Sequence, residues 1–302
     1  MNVITLSNRA FNRLEPLVLS KHVLHTESTM LKFNHHGQEE VIKKLFYQDG
    51  EIFANKLYTL EMLSTNKDKL PHSFIVPDSL ICVSGIIEGF ASPFMDGINL
   101  EEMLNDDKVS LEEKKYLFKK VGEILSQMKA IREHTDLKDF FLCDLHASNF
   151  IVNPNNKDLG VCDLDSMKIA GNKSSHSRFL NEFALINKVE GKYKTGAYDK
   201  GDIGYVTADE NSDLYCYMMM ILSFLYGSSA VNSFELGKFY DYLNYLEYIG
   251  VNKDLVHEFA SLVSNKDNGN PYYLVDSLNK EQVCRASYKV YEKVKNNDRR
   301  PK

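Results

Sequence analysis

The stretch Cys143-Asp144-Leu145-His146-Ala147-Ser148-Asn149-Phe150 sets an aspartate five positions before an asparagine, and a second acidic cluster, Asp163-Leu164-Asp165, follows it. Between the two, Phe150-Ile151-Val152 and Leu159-Gly160-Val161-Cys162 read as short apolar strands joined by the turn-rich Asn153-Pro154-Asn155-Asn156-Lys157-Asp158. A hairpin there folds the chain back on itself and brings Asn149, at the start of one strand, close to Asp163, at the end of the other. Such a pair suits phosphoryl transfer, where the protein orients the attacking hydroxyl with one carboxylate and holds magnesium with oxygen ligands. Asp144 fits the first task; Asn149 and Asp163 fit the second. Upstream, Leu117, Val121, Ile124, Leu125, Met128 and Ile131 recur at helical spacing and predict a helix with one buried face.

The N-terminal third carries a second constraint. After the turn signal Asn34-His35-His36-Gly37, the run 39–46 alternates so that Val41, Lys43 and Leu45 share one strand face. A lysine between two inward apolar residues is costly without an anionic partner. Residues Asp49 to Asn66 are helix-like, with Phe53, Leu57, Leu60 and Leu63 in register and Glu61 on the same segment. Residues 80–97 read as two strands and a glycine-ended connection, and Asn99 to Leu104 as a helix.

These motifs resemble the protein-kinase-like superfamily across nearly the whole chain. The family's catalytic loop, His-Arg-Asp or His-Gly-Asp followed after four residues by Asn, matches Leu142-Cys143-Asp144 through Asn149; its metal-binding Asp-Phe-Gly matches Asp163-Leu164-Asp165. Ser212 to Gly227 looks like the buried C-lobe helix whose opening aspartate, here Asp213, braces the catalytic loop. The resemblance implies an α+β, bilobal kinase-like fold: a small antiparallel-sheet N-lobe over 1–95 and a mainly helical C-lobe over 96–302. It implies ATP and Mg2+ as cofactors, Asp144, Lys43 and His146 as catalytic residues, and Asn149 with Asp163 or Asp165 at the metal. Spacing in the family also implies a Lys43–Glu61 pair. Adenine contacts fall at Phe94 and Met95, and the hydroxyls of Ser28 and Thr29 in the turn 25–29 stand in for a glycine-rich loop, since no glycine occurs before Gly37. The polar segment from Ser166 to Thr207 corresponds to an activation segment.

Composition excludes several classes. The chain has 302 residues, 43% apolar and 26% charged, with a net charge of −6, which gives nucleic acid no basic surface. The longest apolar run, Leu214 to Tyr226, is too short to span a bilayer, and the start lacks the blocks of a secretory signal. Five scattered cysteines point to reduced thiols in a cytoplasm, and neighbouring His35 and His36 have no further ligands at zinc spacing. Three readings follow. One is a divergent Ser/Thr-type kinase acting on a protein substrate; the second is a small-molecule kinase of the aminoglycoside or choline type, suggested by His146 where many Ser/Thr kinases have lysine. The third is a pseudokinase that binds nucleotide or a partner, suggested by the absent glycines.

Overall fold

A computed structural model describes residues 1–17, 28–46, 50–172, 210–231, 236–262 and 270–298. Most of the expected activation segment, from residue 173 onward, lies outside them, as do residues 25–27 of the expected phosphate turn. The described residues within Met1–Glu101, Ala130–Phe140 and Ala147–Ser175 form one compact unit, and those within Glu102–Lys129, Phe141–His146 and His176–Lys302 form another.

The first unit is built on a five-stranded sheet of β1 (Asn2–Leu6), β2 (Ser28–His35), β3 (Gln38–Leu45), β4 (Ser79–Val83) and β5 (Ile86–Pro93), in the order β1-β4-β5-β3-β2. The sheet is antiparallel except at one edge, where β1 runs parallel to β4 from Asn2↔Ser79 to Leu6↔Val83. The expected antiparallel sheet thus carries one parallel pair at its edge. A parallel pair needs a long crossover, and β2, β3 and a helix separate these strands in sequence. The β2–β3 turn puts His36 and Gly37 at φ 52° and 85°, the two left-handed residues that a two-residue hairpin matching strand twist requires.

Alternation along β3 sorts its side chains between two cores. Ile42 packs with Phe11, Leu31, Ile81, Val83 and Ala91 on one face. Leu45 packs with Phe90 and Leu60 on the other, under helix α2 (Gly50–Thr65); α1 is the short turn Asn8–Phe11. Lys43 lies on the α2 face, opposite Phe90 in the β3–β5 ladder. Gly89 makes that ladder possible, because a Cβ there would lie 2.1 Å from the Lys43 carbonyl oxygen. After β6 (Ile98–Asn99) and α3 (Leu100–Asn105), the same unit holds the predicted hairpin, β8 (Phe150–Val152) paired antiparallel with β9 (Leu159–Val161), preceded in sequence by β7 (Phe140–Phe141).

The second unit is helical. In α4 (Leu111–His134) the buried residues Leu117, Val121, Ile124, Leu125 and Met128 follow the predicted stripe. In α5 (Glu210–Tyr226) nearly every side chain from Tyr215 to Leu222 is buried, so it is an interior helix rather than an amphipathic one. The Tyr217 hydroxyl donates to the Phe118 carbonyl, which pins α5 to α4. Beyond α6 (Ser228–Val231) follow α7 (Leu236–Tyr248) and α8 (Lys253–Ser261). The chain then forms α9 (Tyr272–Ser277), α10 (Lys280–Ala286) and α11 (Tyr288–Asp298). Tyr242 and Tyr245 donate to the carbonyls of Ala286 and Arg285 at 2.8 and 3.0 Å, the partners that buried phenols need. No helix among the described residues is long and apolar enough to cross a membrane.

Gly89→Ala is expected to push β3 from β5 at Lys43 and to lower stability by roughly 1–3 kcal/mol, as overpacking does; the shift in the urea unfolding midpoint measures it.

Candidate active site

In the first unit the hairpin ends where its acidic cluster begins. Asn149 lies at the end of a 3-10 turn and accepts at its carbonyl from the Cys162 amide at 2.9 Å, so the β8–β9 pairing extends by one residue and Asp163 follows directly. The turn is tied down by the Asn99 side chain, which donates to the Ser148 carbonyl at 2.7 Å, and by a Ser148–Glu101 hydrogen bond. Asp163 adopts the left-handed region at φ 62° and ψ 42°. Aspartate tolerates that region better than most residues.

Lys43 reaches this cluster from β3. Its ammonium is bonded to Asp163 and donates to Asp165 Oδ1 at 2.7 Å. Asp165 Oδ2 accepts from Lys56, on α2, at 2.6 Å. Asp165 is fully buried and Lys43 and Lys56 nearly so, while the Asp163 side chain keeps 30% of its exposure. Burial alone would raise the Asp165 carboxyl, but Lys43 and Lys56 outweigh it and hold the group well below the usual aspartate range. Burial would likewise lower Lys43, yet Asp165 and Asp163 hold it above the usual lysine range. Asp163 is pushed up, by burial first and then by Asp165, against the pull of Lys43. Burial also pushes the adjacent Cys162 thiol up to about 12, so it is no ready nucleophile.

The expected Lys43–Glu61 pair is not formed. Glu61 is exposed on α2, and the charged residue that this helix buries is Lys56. The signal was in the periodicity: Lys56 follows Phe53 by three and precedes Leu60 by four, within the buried stripe, whereas Glu61 falls beside it. The segment after Asp165 is sewn to α2 as well. Thr59 bonds Asn172, Tyr58 donates to the Ala170 carbonyl at 3.2 Å, and the Asn172 side chain accepts from the Ile169 amide at 2.7 Å.

Three other groups of expected site residues have partners within the first unit. Asp165, named as an alternative metal ligand, has both oxygens taken by ammonium groups. The Phe94 amide donates to the Glu39 carbonyl at 3.0 Å, continuing the β3–β5 ladder, and so is not available to adenine. Ser28 and Thr29 are strand residues of β2 facing Leu45 and Lys44, because the ladder with β3 extends that far. Met95 lies beside Gly160, where a Cβ would come within 2.2 Å of its sulfur.

In the second unit Asp213, near the start of α5, accepts from the Leu142 and Cys143 amides at 3.0 Å each, one per carboxylate oxygen. That bidentate grip holds Cys143 at φ 64° and fixes the backbone leading into Asp144. His146 Nε2 lies 3.7 Å from Asp144 Oδ2, and its buried Nδ1 has no hydrogen-bond partner among the described residues.

No group of described residues forms a ready-made metal cluster. One carboxylate and one amide are a sparse set, and they fit magnesium only as it is usually bound, through one or two protein ligands plus substrate phosphates. The upward push on Asp163 agrees with that, since a divalent cation would supply the positive charge it lacks.

No family model and no curated protein matches the chain. Among solved structures it is similar to the kinase domain of maize sucrose-induced receptor kinase 1 bound to AMP-PNP, with a TM-score of 0.55, 11% identity, and coverage of 95% of this chain and 98% of that one. The likeness establishes a bilobal, protein-kinase-like fold.

Asp213→Ala strips an acceptor from two buried amides and is expected to cost roughly 3 kcal/mol or more, read from denaturant unfolding. The depressed Asp165 carboxyl stabilises the fold above the ordinary aspartate range and withdraws that contribution as pH falls below it. Asp165→Asn is therefore expected to flatten stability against pH below about pH 4, while wild type keeps falling there; melting temperatures across that range check it.

Proposed function

We propose that the protein is a phosphotransferase that moves the γ-phosphoryl group of ATP to a hydroxyl, with a protein Ser/Thr as acceptor. The observation that carries this is the Lys43 ammonium held between Asp163 and Asp165 at the end of the β8–β9 hairpin. A cation on a strand beside a partly exposed carboxylate suits a nucleotide's phosphates and their metal. Lys43 would contact the phosphates, and Asp163 with the Asn149 amide would hold Mg2+. When bound, the ion supplies charge neutralisation on the phosphate oxygens.

Asp144 would orient the acceptor hydroxyl and take its proton. Support comes from the Asp213 grip, which fixes the main chain one residue earlier and so spares the carboxylate reorganisation. Met95 would meet adenine through its main chain. Activation by phosphorylation in the family uses an arginine directly before the catalytic aspartate. Cys143 here is fully buried and cannot receive a phosphate, so transfer is expected without prior phosphorylation, and phosphatase treatment should leave the rate within a few-fold.

A second reading, a small-molecule phosphotransferase, is favoured by His146 beside Asp144. An imidazole there could accept a hydrogen bond from a polyol or amino-alcohol acceptor. Labelled ATP with magnesium, offered with a generic protein and with aminoglycosides and choline, separates the two by where the label appears; label on nothing leaves the pseudokinase reading.

Asp144→Asn is expected to reduce transfer at least about a hundredfold while nucleotide binding persists, because the general base does not hold the nucleotide. Asp163→Ala should instead abolish the magnesium-dependent part of nucleotide binding. Calorimetric titration with and without magnesium, beside the transfer assay, tests both.

A further inference from the structure

Lys56 is a buried cation that meets a buried carboxylate. Its ammonium donates to Asp165 Oδ2 at 2.6 Å and reaches Ser166 Oγ at 3.4 Å, while the other oxygen of Asp165 takes Lys43 at 2.7 Å. Two lysines and two aspartates thus meet with no net formal charge. Filling such a space with apolar side chains of similar volume is often neutral or stabilising. Holding α2 against residues 164–172 does not require these charges either, since Thr59, Tyr58 and Asn172 already join the two. The geometry does something that apolar packing cannot. Asp165 alone could rotate toward Lys43 and engage it with both oxygens. With Lys56 fixing Oδ2, only Oδ1 remains, and the Lys43 ammonium is drawn between Asp165 and Asp163 rather than seated on either.

We propose that Asp165 and Lys56 act together as the positioning pair for Lys43: Lys56 locks the Asp165 carboxylate, and the locked carboxylate holds the Lys43 ammonium beside Asp163 in the orientation that a nucleotide phosphate requires. The carboxylate that orients this lysine therefore comes from two residues beyond Asp163, and helix α2 contributes a cation in place of an acid. Both are positioning residues. The proposal rests on the assignment of Lys43 and Asp163 to nucleotide binding.

The test compares Lys56→Met, Asp165→Asn, the double variant and Lys56→Arg in the full chain, by melting temperature without ligand and by KM for ATP with magnesium. Each single charge removal is expected to lower the melting temperature, because Asp165→Asn takes the carboxylate from two buried ammonium groups and Lys56→Met takes one of two cations from a buried carboxylate. The double variant removes one charge of each sign and should recover most of that loss, which keeps the comparison valid if a single variant fails to fold. Its KM should nonetheless stay raised by roughly tenfold or more, the usual effect of losing a group that orients a ligand-binding residue. Lys56→Arg retains the cation and should keep KM near wild type. A double variant with both stability and KM at wild-type values would overturn the positioning role and leave the nucleotide reading standing. Single variants as stable as wild type with unchanged KM would do the same. A wild type that magnesium and ATP neither stabilise nor serve as substrate would overturn the nucleotide reading and the positioning role together, even with the stability coupling between positions 56 and 165 intact.

Discussion

Burying Lys43, Lys56 and Asp165 beside the partly exposed Asp163 is tolerable only because each charge finds an opposite one within hydrogen-bonding reach. That requirement organises the first unit. The lysines come from β3 and α2, the aspartates from the end of β9, and these elements must be held in register for the ions to meet. The close approach of Gly89 to the Lys43 carbonyl sets the depth of β3 in the sheet. The Asn149–Cys162 hydrogen bond sets where the hairpin ends, and Thr59 with Asn172 sets the height of residues 164–172 along α2. A shift of an ångström in any of them would leave a charge in the interior without an answer.

The same cluster separates two aspartates that lie two residues apart. Asp165 meets two ammonium groups and is held ionised, whereas Asp163 shares one lysine, is partly exposed and is pushed toward protonation by burial. Environment thus assigns one carboxylate to structure and leaves the other short of positive charge. Paired carboxylates with oppositely shifted affinities for protons are a mark of sites where electrostatics are arranged for chemistry.

Left-handed backbone lies beside a candidate site residue in both units. Cys143 and Asp163 are left-handed, at φ 64° and 62°, and each stands at or next to a candidate functional carboxylate. Such conformations persist where surrounding bonds over-determine them. Asp213 does this for Cys143 with two amide hydrogen bonds, and the ion cluster does it for Asp163.

Local pattern was enough to read the β8–β9 hairpin, the burial of Lys43 on its strand and the stripe of α4, because each depends on residue order over a few positions. The Asp213 grip was legible for a different reason: the family resemblance carried it. The β1–β4 parallel edge was not legible, since Asn2 and Ser79 are joined by nothing that a window of sequence contains. Nor was the choice of partner for Lys43. Glu61 and Asp165 are both acids at plausible separations in sequence, and a charge carries no label for its mate. The periodicity of Phe53, Leu57 and Leu60, which pack beneath the sheet, turns Glu61 out to water and Lys56 inward, but nothing in a window of sequence brings Asp165 to Lys43. Sequence determined that a buried lysine must be answered by acid; the tertiary structure decided which acid, and added a second lysine that the acid then had to answer as well.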